Sequence, residues 1–220
     1  KKIIKQNING VINLSKERLI DELKKIVTSE GFLKLNKDKF CFEIVLLIFP
    51  QLKHIDIFNK LNDYAINNIQ FKDFDFLLSL MIIDDNDNTD YFLYKYNLSN
   101  HSKKRIKFLQ NVFSKTLDNN SFSEKNLWKV FYLNGKESLM DMINFKIFRS
   151  KKVDNKLINM IKFFKEKNQP IFPIKAKDLM KKYNLKESKM LGQKLREIEN
   201  IWINNSFKIS DSEVEKIINI

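Results

Sequence analysis

Chain breakers are scarce in this protein: four glycines and three prolines in 220 residues. The glycines stand far apart. That excludes the clustered glycines of a dinucleotide fingerprint or a P-loop, and no G-x-S-x-G nucleophile elbow occurs. Histidine is nearly absent too. His54 and His101 sit in neither an H-E-x-x-H pattern nor a zinc spacing, so surface or capping roles are expected for both. His101 opens the polar stretch Ser99-Asn100-His101-Ser102-Lys103-Lys104-Arg105, a helix start suited to touching phosphate. The one cysteine, Cys41, lies between Phe40 and Phe42. It has no partner for an internal disulfide, which points to a reducing cytoplasm and to a small buried hydrophobe. No stretch approaches the roughly 18 apolar residues of a membrane span. The longest apolar run, Ile44 to Phe49, stops at Pro50 and reads as a buried helical turn. Lys1-Lys2 is followed by no signal-peptide pattern. The chain opens without Met and directly in a helical pattern, so it is expected to be a piece of a longer protein.

What is present is helical periodicity almost throughout, with no run of strict alternation. Leu19, Leu23, Ile26 and Val27 form one apolar stripe, with Ser15 as N-cap. Ser121-Phe122-Ser123-Glu124 and Ser210-Asp211-Ser212-Glu213 have capping-box spacing. Leu191, Leu195, Ile198 and Trp202 fall at i, i+4, i+7 and i+11, a single helical face. The fold class is all-α, a multi-helix array. Its expected segments are 1–50, 51–152 and a basic 153–220, with Gln169-Pro170-Ile171-Phe172-Pro173 as a linker.

Net charge is +13, and it is unevenly placed. Residues 151–200 carry fourteen Lys or Arg against six Asp or Glu, whereas residues 71–100 carry two against six. Lysine enrichment from an AT-rich genome would spread more evenly. A concentrated basic segment is the footprint of a polyanion partner. Two Asp-x-Asp pairs, Asp73/Asp75 and Asp85/Asp87, have the spacing that holds Mg²⁺ when set on a strand. Lys72-Asp73-Phe74-Asp75 reads instead as a helix N-terminus, and Asp84-Asp85-Asn86-Asp87 as a loop that lacks the Gly and final Glu of an EF-hand. No metal site and no catalytic residue is assigned to the chain.

The last quarter is the most specific part. Pro170-Ile171-Phe172-Pro173-Ile174-Lys175-Ala176-Lys177-Asp178-Leu179 leads to Leu191-Gly192-Gln193-Lys194-Leu195-Arg196-Glu197-Ile198-Glu199 and Trp202. This resembles the C-terminal end of bacterial class II tRNA nucleotidyltransferases (CCA-adding enzymes) and poly(A) polymerases. Leu14-Ser15-Lys16-Glu17-Arg18-Leu19-Ile20-Asp21-Glu22-Leu23 is similar to a neck helix of the same family, and Leu98-Ser99-Asn100 and Leu133-Asn134-Gly135-Lys136-Glu137 follow in matching order. Ala176 departs from the family's Gly. Glu187-Ser188-Lys189 replaces a Pro-Gly-Pro-like turn, leaving room for a longer helix.

The resemblance implies the end of a neck, a body and a tail, without the catalytic head: no Gly is followed by Ser, and no nucleotide-selection motif precedes Ser15. It implies that Mg²⁺ and ATP or CTP are bound by a head domain upstream, that the chain alone is inactive, and that its partner is tRNA or another structured RNA, with no membrane or DNA. Lys175, Lys177, Lys181, Lys182, Lys186, Lys189, Lys194 and Arg196 supply charge for RNA phosphates without reading bases. Ser15, Glu17, Arg18 and Glu22 form the neck motif: Ser15 caps, Glu17 meets the positive helix end, and Arg18 and Glu22 are spaced to pair. Gly192 is positioned for close approach of a helix or backbone. The alternatives are a free-standing helical RNA- or protein-binding module, or a Lys-rich structural protein.

Overall fold

A computed structural model describes residue 7 and residues 10–11, 13–35, 37–84, 86–114 and 120–218. Asp85 of the second Asp-x-Asp pair lies outside these residues, as do most positions before Ser15. The protein is all-α: twelve α-helices and two 3₁₀ turns, with no strand among the described residues. None of the described helices is long and apolar enough to cross a membrane.

The helices are α1 (Lys16–Val27), α2 (Phe32–Leu35), α3 (Lys39–Ile48), α4 (Asp63–Asn68), α5 (Phe74–Ile82), α6 (Asn88–Tyr96), α7 (Asn100–Phe113), α8 (Glu124–Arg149), α9 (Asn155–Lys165), α10 (Ala176–Tyr183), α11 (Lys189–Asn204) and α12 (Asp211–Ile218). Their starts follow local chemistry. Ser15 accepts the backbone N–H of Arg18 at 3.3 Å, and Asp73 accepts that of Phe76 at 3.0 Å. Ser210 and Glu213 form a reciprocal box, with Glu213 Oε2 accepting from Ser210 N at 2.8 Å and Ser210 Oγ from Glu213 N at 3.3 Å. The box expected at Ser121 is displaced. Ser123 caps α8 instead, accepting from Asn126 N at 3.4 Å.

One buried cluster runs from Leu23 to Phe164. It passes through the positions near 50 and 152 where segment ends were expected, and α9 packs with it. Helix α5 is the axis: every residue but Asp75 is buried, as its all-round apolar sequence requires. Buried amides satisfy orphan carbonyls at element ends. Asn62 Nδ2 donates to Ile147 O and Ser150 O, both at 2.8 Å. Asn88 Nδ2 donates to Gln51 O and Ile82 O, both at 2.8 Å. The run from Ile44 to Phe49 is less enclosed than expected: Val45 and Phe49 are buried but Leu47 is half-exposed, and Cys41 is a free, partly buried thiol rather than a fully buried one.

A second, smaller cluster joins α10, α11 and α12 through Leu179, Leu191, Ile198, Val214, Ile217 and Ile218. No longer helix spans 184–188. Asn184 turns left-handed (φ 51°) and Leu185 N returns to Met180 O at 3.1 Å, a helix-ending motif that asparagine tolerates. Ser188 then caps α11 by accepting from Leu191 N at 3.1 Å.

The two clusters meet through rings. Trp202 of α11 lies edge-on to Tyr132 of α8, centroids 5.1 Å apart, and contacts Phe172 of the linker at 5.3 Å. Phe207, held at φ 63° in the turn after α11, reaches Trp202 at 4.9 Å and Trp128 at 6.1 Å. Tyr132 Oη donates a short hydrogen bond to Glu199. Loss of water and the neighbouring carboxylate push the Tyr132 phenol up to about 12.

Candidate nucleic-acid interface

The eight cations expected to meet RNA are not equivalent once α10–α12 pack together. Lys194 is half-buried, and its ammonium donates to the carbonyls of Ile217 and Ile218 at 2.7 and 2.8 Å. It closes the C-terminal end of α12, where four carbonyls lack helical partners and the dipole favours a cation. Lys182 pairs with Asp211 at 3.1 Å, an exposed contact that raises its pKa through that hydrogen bond and the Tyr183 hydroxyl. The other six, Lys175, Lys177, Lys181, Lys186, Lys189 and Arg196, are exposed and have no ion pair among the described residues.

Helix geometry aligns part of this set. On α11 the buried Leu191, Ile198 and Trp202 define the inner face. Lys189, Gln193, Arg196 and Asn200 repeat the same i, i+4, i+7, i+11 spacing two residues out of phase, and all four are exposed. Lys177 and Lys181 share a face of α10 in the same way, opposite the buried Leu179. The chain therefore presents cations outward on two helices and the turn between them, while its apolar residues hold those helices together.

Gly192 lies on this α11 surface, but among the described residues no atom outside its own stretch of helix comes within 4 Å of where a Cβ would sit. The expected close approach of a neighbouring helix is not made among the described residues. Glycine at a helix interior costs about 0.5–1 kcal/mol relative to alanine. Gly192→Ala should therefore raise unfolding stability by about 0.5–1 kcal/mol, read as a shift in the urea midpoint at constant slope. A loss of stability would show that another element uses the glycine.

The Ser15-to-Glu22 segment makes contacts local to α1. Ser15 caps α1 and Glu17 lies in its first turn. Glu22 pairs with Lys25 at 2.9 Å rather than with Arg18, since residues three and four apart both neighbour it on the helix surface.

A second feature brings together two segments far apart in sequence, Leu98-Ser99-Asn100 and Leu133-Asn134-Gly135-Lys136-Glu137. Ser99 caps α7. Gly135 breaks α8, at φ 81° and ψ 174°, a conformation other residues adopt at a cost. Between the start of α7 and this break lies a groove of about 610 Å³. Two of its lining residues, Arg105 and Glu137, belong to an ion-pair cluster. Arg105 binds Asp141 with two nitrogens, one of them at 2.9 Å, and Asp73 at 2.7 Å, with Glu137 at 3.4 Å. The carboxylates hold the Arg105 guanidinium firmly protonated against burial, and burial pushes the Asp141 carboxyl up despite its arginine.

Asp73 is thus both a helix cap and an arginine partner. Among the described residues no three His, Cys, Asp or Glu come together as a metal-ligand set. Exposed His101 lies 3.3 Å from Glu137. His54 is partly buried, and that burial lowers its pKa.

Of the groove's polar residues, the sequence places Lys104 in a helix start suited to phosphate and Asn134 in the Leu133–Glu137 motif, but it does not bring the two together or point to Asn111. The signals were an Asn-Gly pair inside a helical pattern and polar residues seven apart on α7. No protein-family model matches the chain, and no curated protein matches it.

Proposed function

We propose that the chain is an RNA-binding region that grips structured RNA through the outward cations of α10 and α11. The observation that carries this reading is the set of six exposed Lys and Arg side chains with no ion pair among the described residues, held on a small folded unit that is itself fixed to the larger helical array. Unpaired surface cations neutralise phosphates and release counterions, and they carry no base preference. That suits a protein holding RNAs by shape.

Together with the sequence resemblance, this supports a role as the neck, body and tail of a cytoplasmic nucleotidyltransferase that extends RNA 3′ ends. In this reading the metal, ATP or CTP and the chemistry belong to a head domain upstream, and the chain alone is inactive.

The test compares binding of the chain to tRNA and to unstructured RNA of equal length, at 50 and 200 mM salt. Salt-sensitive binding that favours tRNA is the expected result. Salt-insensitive binding, or equal affinity for both RNAs, would overturn the reading.

A further inference from the structure

We infer that the groove between α7 and the break in α8 is a binding site for one unpaired ribonucleotide of the RNA, an inference that rests on the RNA-binding reading above. Its chemistry differs from that of the α10–α11 face. Most of its charge is internally cancelled: Arg105 faces three carboxylates, and Lys107 is paired with Asp90. One exposed cation remains, Lys104, with no ion pair among the described residues.

Around Lys104 stand side chains whose hydrogen-bonding groups are unused. The amides of Asn111 and Asn134 and the hydroxyl of Ser138 line the groove without a side-chain partner among the described residues. Phe108 and the exposed Leu133 supply apolar wall.

One cation, paired donors and acceptors, and an apolar surface match one phosphate, one base edge and one base face. A duplex does not fit this description. Its backbone needs many cations, and its paired base edges are not free to enter a cleft of about 610 Å³. That volume lies in the range of small-ligand sites.

The backbone explains why the groove exists. Gly135 leaves the helical path and breaks α8 at the groove, and Asn134 sits at the turn. The Arg105 cluster ties α7 to α8 beside the break through Glu137 and Asp141. Gln169 forms part of the rim, anchored by its amide to Tyr132 O at 2.7 Å. Six residues later the chain reaches Lys175. Even fully extended, that stretch spans no more than roughly 20 Å. An RNA held on the α10–α11 cations therefore has the groove within reach of a neighbouring loop, bulge or end.

The experiment uses the full chain and two hairpin RNAs with the same stem, one blunt and one carrying three unpaired nucleotides. The readout is affinity by fluorescence anisotropy, with AMP as competitor. The unpaired nucleotides should improve affinity about tenfold, within the range of a single stacked base. The double variant Asn111→Ala/Asn134→Ala, at two exposed positions, should lose that advantage while binding the blunt hairpin as before. Lys104→Ala alone should remove part of it. Equal affinity of the wild-type chain for both hairpins, or equal weakening of both by the double variant, overturns the groove assignment and leaves the α10–α11 reading standing. Failure to bind either hairpin overturns both. AMP binding that the double variant abolishes, without any advantage from unpaired nucleotides, assigns the groove to a free nucleotide and overturns its assignment to RNA.

Discussion

Arg105→Met should destabilise the fold by about 3 kcal/mol at pH 7, the low end of the cost of stripping a partner from a buried ion pair. The side chains of Arg105 and Asp141 are 9% and 10% exposed, so little water replaces the lost contact. Asp73 and Glu137 are more than half exposed and regain solvent, contributing little. The pH dependence identifies the cause. Burial already holds the Asp141 carboxyl above its usual range, and Arg105 is the main group pulling it down. Without the arginine the carboxyl rises further. A group whose folded pKa is raised gives stability that is present below the unfolded pKa and lost as pH rises through the folded one. The deficit of Arg105→Met should therefore be largest at neutral pH and shrink on acidification toward pH 5, measured by urea unfolding of variant and wild type at both. A gap that stays constant would show that packing, not the stranded carboxylate, sets the loss. Adding Asp141→Leu should recover most of the stability at pH 7, because removing both charges costs less than stranding one.

That cluster also shows where reading the sequence stops. Local rules placed the helices: Ser15, Asp73 and the Ser210–Glu213 box cap where their spacing says, and Leu191, Ile198 and Trp202 turn inward together. These depend on a few consecutive residues. The Arg105 cluster draws on positions 73, 105, 137 and 141 from three helices, and no spacing within one segment reports such a meeting. The same limit applies to the basic tail. The concentration of positive charge beyond residue 150 was legible. That Lys194 spends its ammonium on the end of α12, and Lys182 on Asp211, follows from how α12 docks on its neighbours. The turn at Asn184 was missed because propensity across Glu187-Ser188-Lys189 permits a helix, while a left-handed asparagine and a serine cap end one there.

Replacing Lys175, Lys177, Lys181, Lys186, Lys189 and Arg196 together by glutamine should remove most of the RNA affinity without unfolding the chain. All six are exposed and none has an ion pair among the described residues, so the fold loses no described ion pair. The magnitude follows from counterion release. Each phosphate contact adds about 0.7–0.9 to the slope of log affinity against log salt, so six contacts give a slope near −5 and a loss of about 10³ between 50 and 200 mM salt. The six-fold variant should bind at least about a hundredfold more weakly at 50 mM and show a slope near zero. Single variants should each reduce the slope by about one. Lys194→Gln separates charge from structure. Its ammonium already serves the carbonyls of Ile217 and Ile218, so its loss should lower the stability of the α10–α12 unit and leave the slope of the folded chain unchanged. If the six-fold variant keeps its slope, the phosphates are met elsewhere, and the outward cations of α10 and α11 are solvated surface.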